Sequence, residues 1–187
     1  VPDADCARPQ GDGPAAVTIS AAVRIGKDQT WNVADAGSVL SLGPLFGEAA
    51  VTKTGDGKVT LTSAADNTFN SGVTAAFTID AGTLEILTST ALGSTINSNL
   101  ASITVNSTGV FYYNGAANSA ATGVANNITL AGGTLSVGGN AGNNYHTGTV
   151  TVTVDSFINM RGSNSAVVTA TQGNVVLSGP VSGSGKL

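Results

Sequence analysis

A glycine followed at once by a β-rich stretch recurs along this chain at a nearly even interval, at Gly37, Gly57, Gly82, Gly109, Gly133 and Gly173. If one coil without such a glycine passes through residues 155–160, the mean step between Gly37 and Gly173 is about 23 residues. An interval of 20–30 residues is the mark of a solenoid. Each repeat is too small to bury a core by itself and must stack on its neighbours. That interval constrains the fold more than any single motif does.

The segments between the glycines read as strands. Val17-Thr18-Ile19, Val59-Thr60-Leu61-Thr62, Phe77-Thr78-Ile79-Asp80 and Ile103-Thr104-Val105 place apolar residues at period two. So do Ile128-Thr129-Leu130, Leu135-Ser136-Val137 and Val150-Thr151-Val152-Thr153-Val154. Alternation with β-branched residues, broken by Gly, Asn and Ser, is the signal of a half-buried strand. No window of helical length carries an i, i+3, i+4 stripe free of glycine. The expected fold is therefore all-β, a parallel β-helix with coils of about 23 residues. Each coil would supply two or three strands stacked at about 4.8 Å on the next. Aliphatic residues would fill a narrow interior, with Thr, Ser and Asn facing water. The composition agrees: 41% of residues are hydrophobic but only 10% charged. No apolar run approaches the roughly 18 residues a membrane-spanning helix needs.

Residues 1–16 show no period and read as an N-terminal tail or connector, with the solenoid over 17–187. A longer internal repeat is superposed on the coils. Residues 37–47 align without gaps on 173–183, and 17–25 align on 152–160. This predicts one super-repeat over about 17–151 and the start of a second over 152–187. It also predicts that the pattern continues beyond both ends of the chain.

Charge excludes one class of partner. Seven basic against eleven acidic residues give a net charge of -4, and no Lys or Arg lies between Lys58 and Arg161. Nucleic-acid binding rests on cationic contacts to phosphate, so it is set aside, as is insertion into a membrane. Cys6 is the one cysteine and cannot close an intrachain disulfide. Two readings stay open for it: an intermolecular cross-link, or a thiol in a flexible tail.

The run Val51-Thr52-Lys53-Thr54-Gly55-Asp56-Gly57-Lys58-Val59-Thr60-Leu61-Thr62 is followed by Asn67-Thr68-Phe69-Asn70-Ser71-Gly72, then Ala81-Gly82-Thr83-Leu84-Glu85-Ile86 and Ala91-Leu92-Gly93-Ser94. Together these resemble the passenger-associated transport repeat, also known as the autotransporter-associated β-strand repeat. The residues that carry the resemblance are Lys53, Thr54, Gly55, Gly57, Leu61, Gly72, Gly82, Leu84, Leu92 and Gly93. Lys58-Val59 and Ala65-Asp66 depart from the family pattern. The resemblance implies a right-handed helix hand, an extracellular or bacterial cell-surface location, and a structural role in a secreted passenger.

Other candidate sites are few. Catalysis on a β-helix needs paired carboxylates, or an acidic calcium cluster with a basic residue. Asp80 and Glu85 are close in sequence, but no basic partner is expected for them in the adjacent coils. His146 is the only histidine, without Cys or acid near it, and reads as a loop residue on a polar turn rather than a metal ligand. The stretch 138–144 resembles a calcium-binding nonapeptide only in its Gly and Asn, and it lacks the Asp ligand. In Phe111-Tyr112-Tyr113 one strand face is core, and the other is open to a sugar ring or a partner; Tyr112, Tyr113 and also Tyr145 are the candidates. Thr149, Thr151 and Thr153 form the kind of row found on ice-binding solenoids. Such a surface needs the row repeated in register on successive coils, and the neighbouring coils do not repeat it, which leaves an ordinary solvated face. Asn106-Ser107-Thr108 and Asn127-Ile128-Thr129 are glycosylation sequons only in a host that modifies Asn.

The expectation is a non-catalytic structural segment of an extracellular protein, a rigid stalk or fibre with an adhesive role and without cofactor. Its partners would be further chain or identical subunits at the solenoid ends, and host or matrix glycans. A self-assembling filament or surface-layer subunit stacking head to tail is the first alternative. A carbohydrate-binding or polysaccharide-cleaving β-helix is the second.

Overall fold

A computed structural model describes residues 13–62, 76–94, 99–114, 122–138, 144–161 and 175–187. In chain order, β1 (Ala16–Ile19), β2 (Val23–Ile25) and β3 (Gln29–Asn32) make the first coil. β4 (Val39–Leu42), β5 (Leu45–Gly47) and β6 (Val51–Thr54) make the second, and β7 (Lys58–Leu61) opens the third. β8 (Ala76–Ile86) and β11 (Ser102–Asn114) are long strands, separated by the short pair β9 (Gly93–Ser94) and β10 (Asn99–Leu100). β12 (Ile128–Ala131), β13 (Thr134–Gly138), β14 (Asn144–His146), β15 (Val150–Val154), β16 (Phe157–Arg161), β17 (Val175–Leu177) and β18 (Val181–Gly183) complete it.

These strands stack in three rows. The first row runs β3, β6, the leading half of β8, the leading half of β11, β12, β15 and β18. The second runs β1, β4, β7, the trailing halves of β8 and β11, β13 and β16. The third pairs β2 with β5, and farther along joins Val124 to β14 and β14 to β17. All the strand pairs are parallel except β9–β10. No α-helix occurs among the described residues. The protein is a β-solenoid.

The second row sets the period. After β1, its strands begin at Val39, Lys58, Thr83, Val110, Thr134 and Phe157. Their mean spacing is about 24 residues per coil. Each of the first five begins one or two residues after a glycine of the recurring set, so Gly37, Gly57, Gly82, Gly109 and Gly133 mark one corner of the solenoid. Gly82 shows why: its φ is +67°, and a Cβ there would collide with the carbonyl oxygens of Gly55 and Gly57 in the coil beneath. The sixth coil turns without glycine, as expected. Ser156 takes the corner, its Oγ accepting the Gly132 N–H at 3.0 Å and donating to the Val154 carbonyl at 2.7 Å. The strand that follows Gly173, β17, stands in the third row instead.

The interior is filled by columns of side chains in register. Val51, Phe77, Ile103, Ile128 and Val150 stack in the first row; Val59, Leu84, Phe111 and Leu135 stack in the second. All are at most 1% exposed, and each such side chain contributes about 1.5–3 kcal/mol by leaving water. The terminal coils differ. Val17 and Ile19 are 51% and 41% exposed at one end, and Met160 and Val181 are 50% and 49% exposed at the other.

The internal repeat is a repeat of strands but not of faces. Residues of β1 and β2, in the second and third rows, align in sequence with β15 and β16, in the first and second. Residues of β4 and β5, in the second and third rows, align with β17 and β18, in the third and first.

Candidate functional site

Alternation in the first row turns one residue of each strand outward, and that residue is threonine in six successive strands. Thr30 is the register partner of Thr52, Thr52 of Thr78, Thr78 of Thr104, Thr104 of Thr129 and Thr129 of Thr151. Ser182 extends the column by one more strand. From β6 to β15 the residues on either side, such as Phe77 and Ile79 or Ile103 and Val105, are buried, so the threonines face outward. Of the row Thr149, Thr151 and Thr153, the middle threonine is thus repeated in register on the neighbouring coils, contrary to expectation, whereas Thr149 lies beside Asn127 and Thr153 falls at the register shift between β12 and β15. The column was hidden because the coils differ in length: the step from Thr52 to Thr78 is longer than the steps from Thr30 to Thr52 and from Thr129 to Thr151. A fixed interval does not bring them together; backbone pairing does.

The hydroxyls of this column make no hydrogen bond among the described residues. Other outward threonines are engaged: Thr60 donates to Glu85, Thr62 to the Leu42 carbonyl, Thr108 to the Asp80 carbonyl and Thr153 to the Leu130 carbonyl. The two register irregularities of this row, at Val105/Thr108 and at Leu130/Ala131, fall toward the corner and leave the threonine positions in step.

Comparison with family models, with curated proteins and with solved structures finds no match to this chain.

The signature residues fall mostly in the interior and at the glycine corner. Leu61, Leu84 and Leu92 are wholly buried, and Gly55, Gly82 and Gly93 hold positive φ. Gly57 packs against Val33, while Gly72 lies outside the described residues, as does Cys6. Lys53 is the surprise among them. It occupies an interior position between Trp31 and Ile79 in the first row and is 0% exposed. Its Nζ donates to the carbonyls of Thr54 at 2.8 Å, Gly55 at 2.6 Å and Ala81 at 3.1 Å. Its three donors thus tie two stacked corners together. Burial pulls the Lys53 pKa below the usual lysine value, against the attraction of Asp56.

Glu85 has the basic partner that the sequence reading did not expect. Lys58, one full coil earlier in the chain, places Nζ 2.7 Å from Glu85 Oε2. Thr60 donates to the same oxygen at 3.0 Å, and Asn114, one coil later, donates to Oε1 at 3.0 Å. Burial alone would raise the carboxyl pKa. The hydrogen bonds from Lys58, Asn114 and Thr60, with the charge of Lys58, outweigh burial and hold the pKa below the usual carboxylate range. Asp80 accepts from Asn106 Nδ2 at 2.6 Å. Glu85 is 4% exposed, which suits a clasp across three coils better than chemistry on a soluble substrate.

His146 is also relocated. It is not on a polar turn but in β14, wholly buried, paired with Val124 on one side and Leu177 on the other. Among the described residues neither ring nitrogen has a hydrogen-bond partner. Burial lowers its pKa to about 4, although the nearby Asn126 peptide favours the charged ring a little. No group of three or more metal-ligating side chains occurs among the described residues. Tyr113 lies on the inner face beside Phe111, 2% exposed, its ring centroid 6.2 Å away. Only Tyr112 and Tyr145 of the three tyrosines keep surface for a partner.

Proposed function

We propose that this chain is a structural extracellular β-solenoid segment, a rigid cell-surface stalk or fibre without catalytic activity. The observation that carries the reading is the continuous stacking of the first and second strand rows, with interior columns that link each coil to the next. Parallel ladders of this kind resist bending because backbone bonds and core contacts both run along the axis. The resemblance of residues 51–95 to passenger repeats supports a surface location. The engaged, buried Glu85 supports a structural role for its pair with Lys58 on the second row. The test of location is labelling of intact producing cells with antibodies raised against the chain, and its release by surface proteolysis. Labelling only after lysis would end the extracellular reading. Release of reducing ends or unsaturated uronates from polysaccharides would end the non-catalytic one.

The terminal coils favour a second reading, stacking of copies head to tail. Unpaired strand edges carrying apolar side chains are an invitation to association. A copy's β1 would extend the second row beyond β16, covering Met160 with Ile19. Filaments that grow with concentration in electron micrographs would support it. A monomer at every concentration in sedimentation would exclude it.

A further inference from the structure

We infer that the outer face of the first row is an ice-binding surface, built on the column Thr30, Thr52, Thr78, Thr104, Thr129 and Thr151. The column places one hydroxyl and one methyl per coil at the parallel-strand spacing of about 4.8 Å. That repeat lies near the oxygen spacing along the growth planes of hexagonal ice. Three properties of the column suit an ordered-water lattice. Among the described residues its hydroxyls make no hydrogen bond, which leaves them to anchor water. Its side chains are β-branched and stacked, so few rotamers remain to be lost on binding. Its threonines are uncharged and no register slip interrupts them.

A crystalline polysaccharide is the competing flat lattice, and the face is poorly made for it. Sugar faces are gripped by aromatic platforms. The aromatic residues of the first row, Trp31 and Phe77, stack edge to face at 5.6 Å in interior positions. The column on one side of the threonines carries small residues, among them Ala50, Ala76 and Ser102, and the column on the other carries Asn32, Thr54 and the hydrogen-bonded pair Asp80 and Asn106. The inference does not depend on the stalk reading, since it concerns one face of the solenoid whatever the rest of the chain supports.

The test is partition into slowly growing ice and inhibition of ice recrystallisation by the full chain. Thr104→Lys combined with Thr129→Lys is the variant on the face, and Asn159→Lys on the outer side of the second row is the control. The expected result is enrichment of the wild type and of N159K in the ice fraction, at least tenfold over a globular reference protein. The double variant falls to the reference level while its circular dichroism and melting temperature stay near those of the wild type. If the double variant is misfolded, Thr104→Ser with Thr129→Ser removes only the methyls and is expected to weaken partition. Exclusion of the wild type from ice overturns the inference, as does partition that the folded variants leave unchanged. Retention on microcrystalline cellulose without partition into ice also overturns it.

Discussion

Acidification is expected to weaken this solenoid through one buried side chain. His146 is buried, and among the described residues neither of its nitrogens has a hydrogen-bond partner. The segments it pairs with, residues 122–127 and β17, contain no ionisable side chain. Its pKa is about 4 in the fold against an ordinary value of 6.5. The folded pKa is the lower one, so the unfolded chain binds the proton more readily and stability falls as pH drops below 6.5. Applying the linkage relation to those two values, the loss between pH 7 and pH 5 is about 2 kcal/mol, rising to about 3 kcal/mol near pH 4. Glu85 adds nothing in the upper part of that window. Its pKa is held below the usual carboxylate range, so its stabilising contribution is lost only at lower pH. The measurement is urea unfolding at pH 7, 6 and 5, followed by circular dichroism, for the wild type and for His146→Leu. The variant fills a similar volume and cannot titrate, and every carboxylate is common to both proteins. The difference in unfolding free energy should shift by about 2 kcal/mol toward the variant between pH 7 and pH 5. Parallel profiles would refute the reasoning, as would an imidazole that titrates near 6.5 by NMR in the folded protein.

Three further outcomes follow from the interior. Lys53→Met keeps the apolar stem but leaves the carbonyls of Thr54, Gly55 and Ala81 without their donor. A loss of about 2 kcal/mol is expected in chemical denaturation, and unchanged stability would mean that desolvation of the ammonium cancels its bonds. Gly82→Ala forces a Cβ against two carbonyl oxygens at a positive φ. It should cost about 3 kcal/mol or more and lower the melting temperature sharply; a variant that melts with the wild type would show that the corner can shift. Tyr113→Phe removes a buried hydroxyl without a partner and should be neutral or stabilising by about 1 kcal/mol in the same denaturation assay. A clear destabilisation would reveal a bond to that hydroxyl.

The strands and the corner were legible because both are local. Period-two alternation marks a strand within a few positions, and a glycine marks the place where a coil approaches its neighbour too closely for a side chain. Even the coil that turns on Ser156 could be placed by interval alone. What escaped depends on register between coils. Lys58 and Glu85 meet because Thr60 and Glu85 are register partners, which neither residue announces. The threonine column was invisible at a fixed interval because its steps from Thr30 to Thr151 are unequal. His146 was misjudged for another reason: a polar residue among Gly and Asn reads as a turn, yet it lies in a buried strand. Hydrogen bonding to corner carbonyls makes the inward position tenable for Lys53. His146 stays inside by remaining neutral.

The narrow range of coil lengths also sets how the molecule can be made. A strand in one row waits for a partner only one coil away, so the loop to be closed has much the same length wherever along the chain the contact forms. Closure entropy grows with the logarithm of loop length, and here that length does not grow with the protein. Once a first pair of coils exists, each added coil meets a finished template and pays the same small ordering cost as the one before. Growth of this kind is a zipper. A chain delivered from one end can fold as it arrives, at a rate per coil that is indifferent to how many coils the finished rod contains.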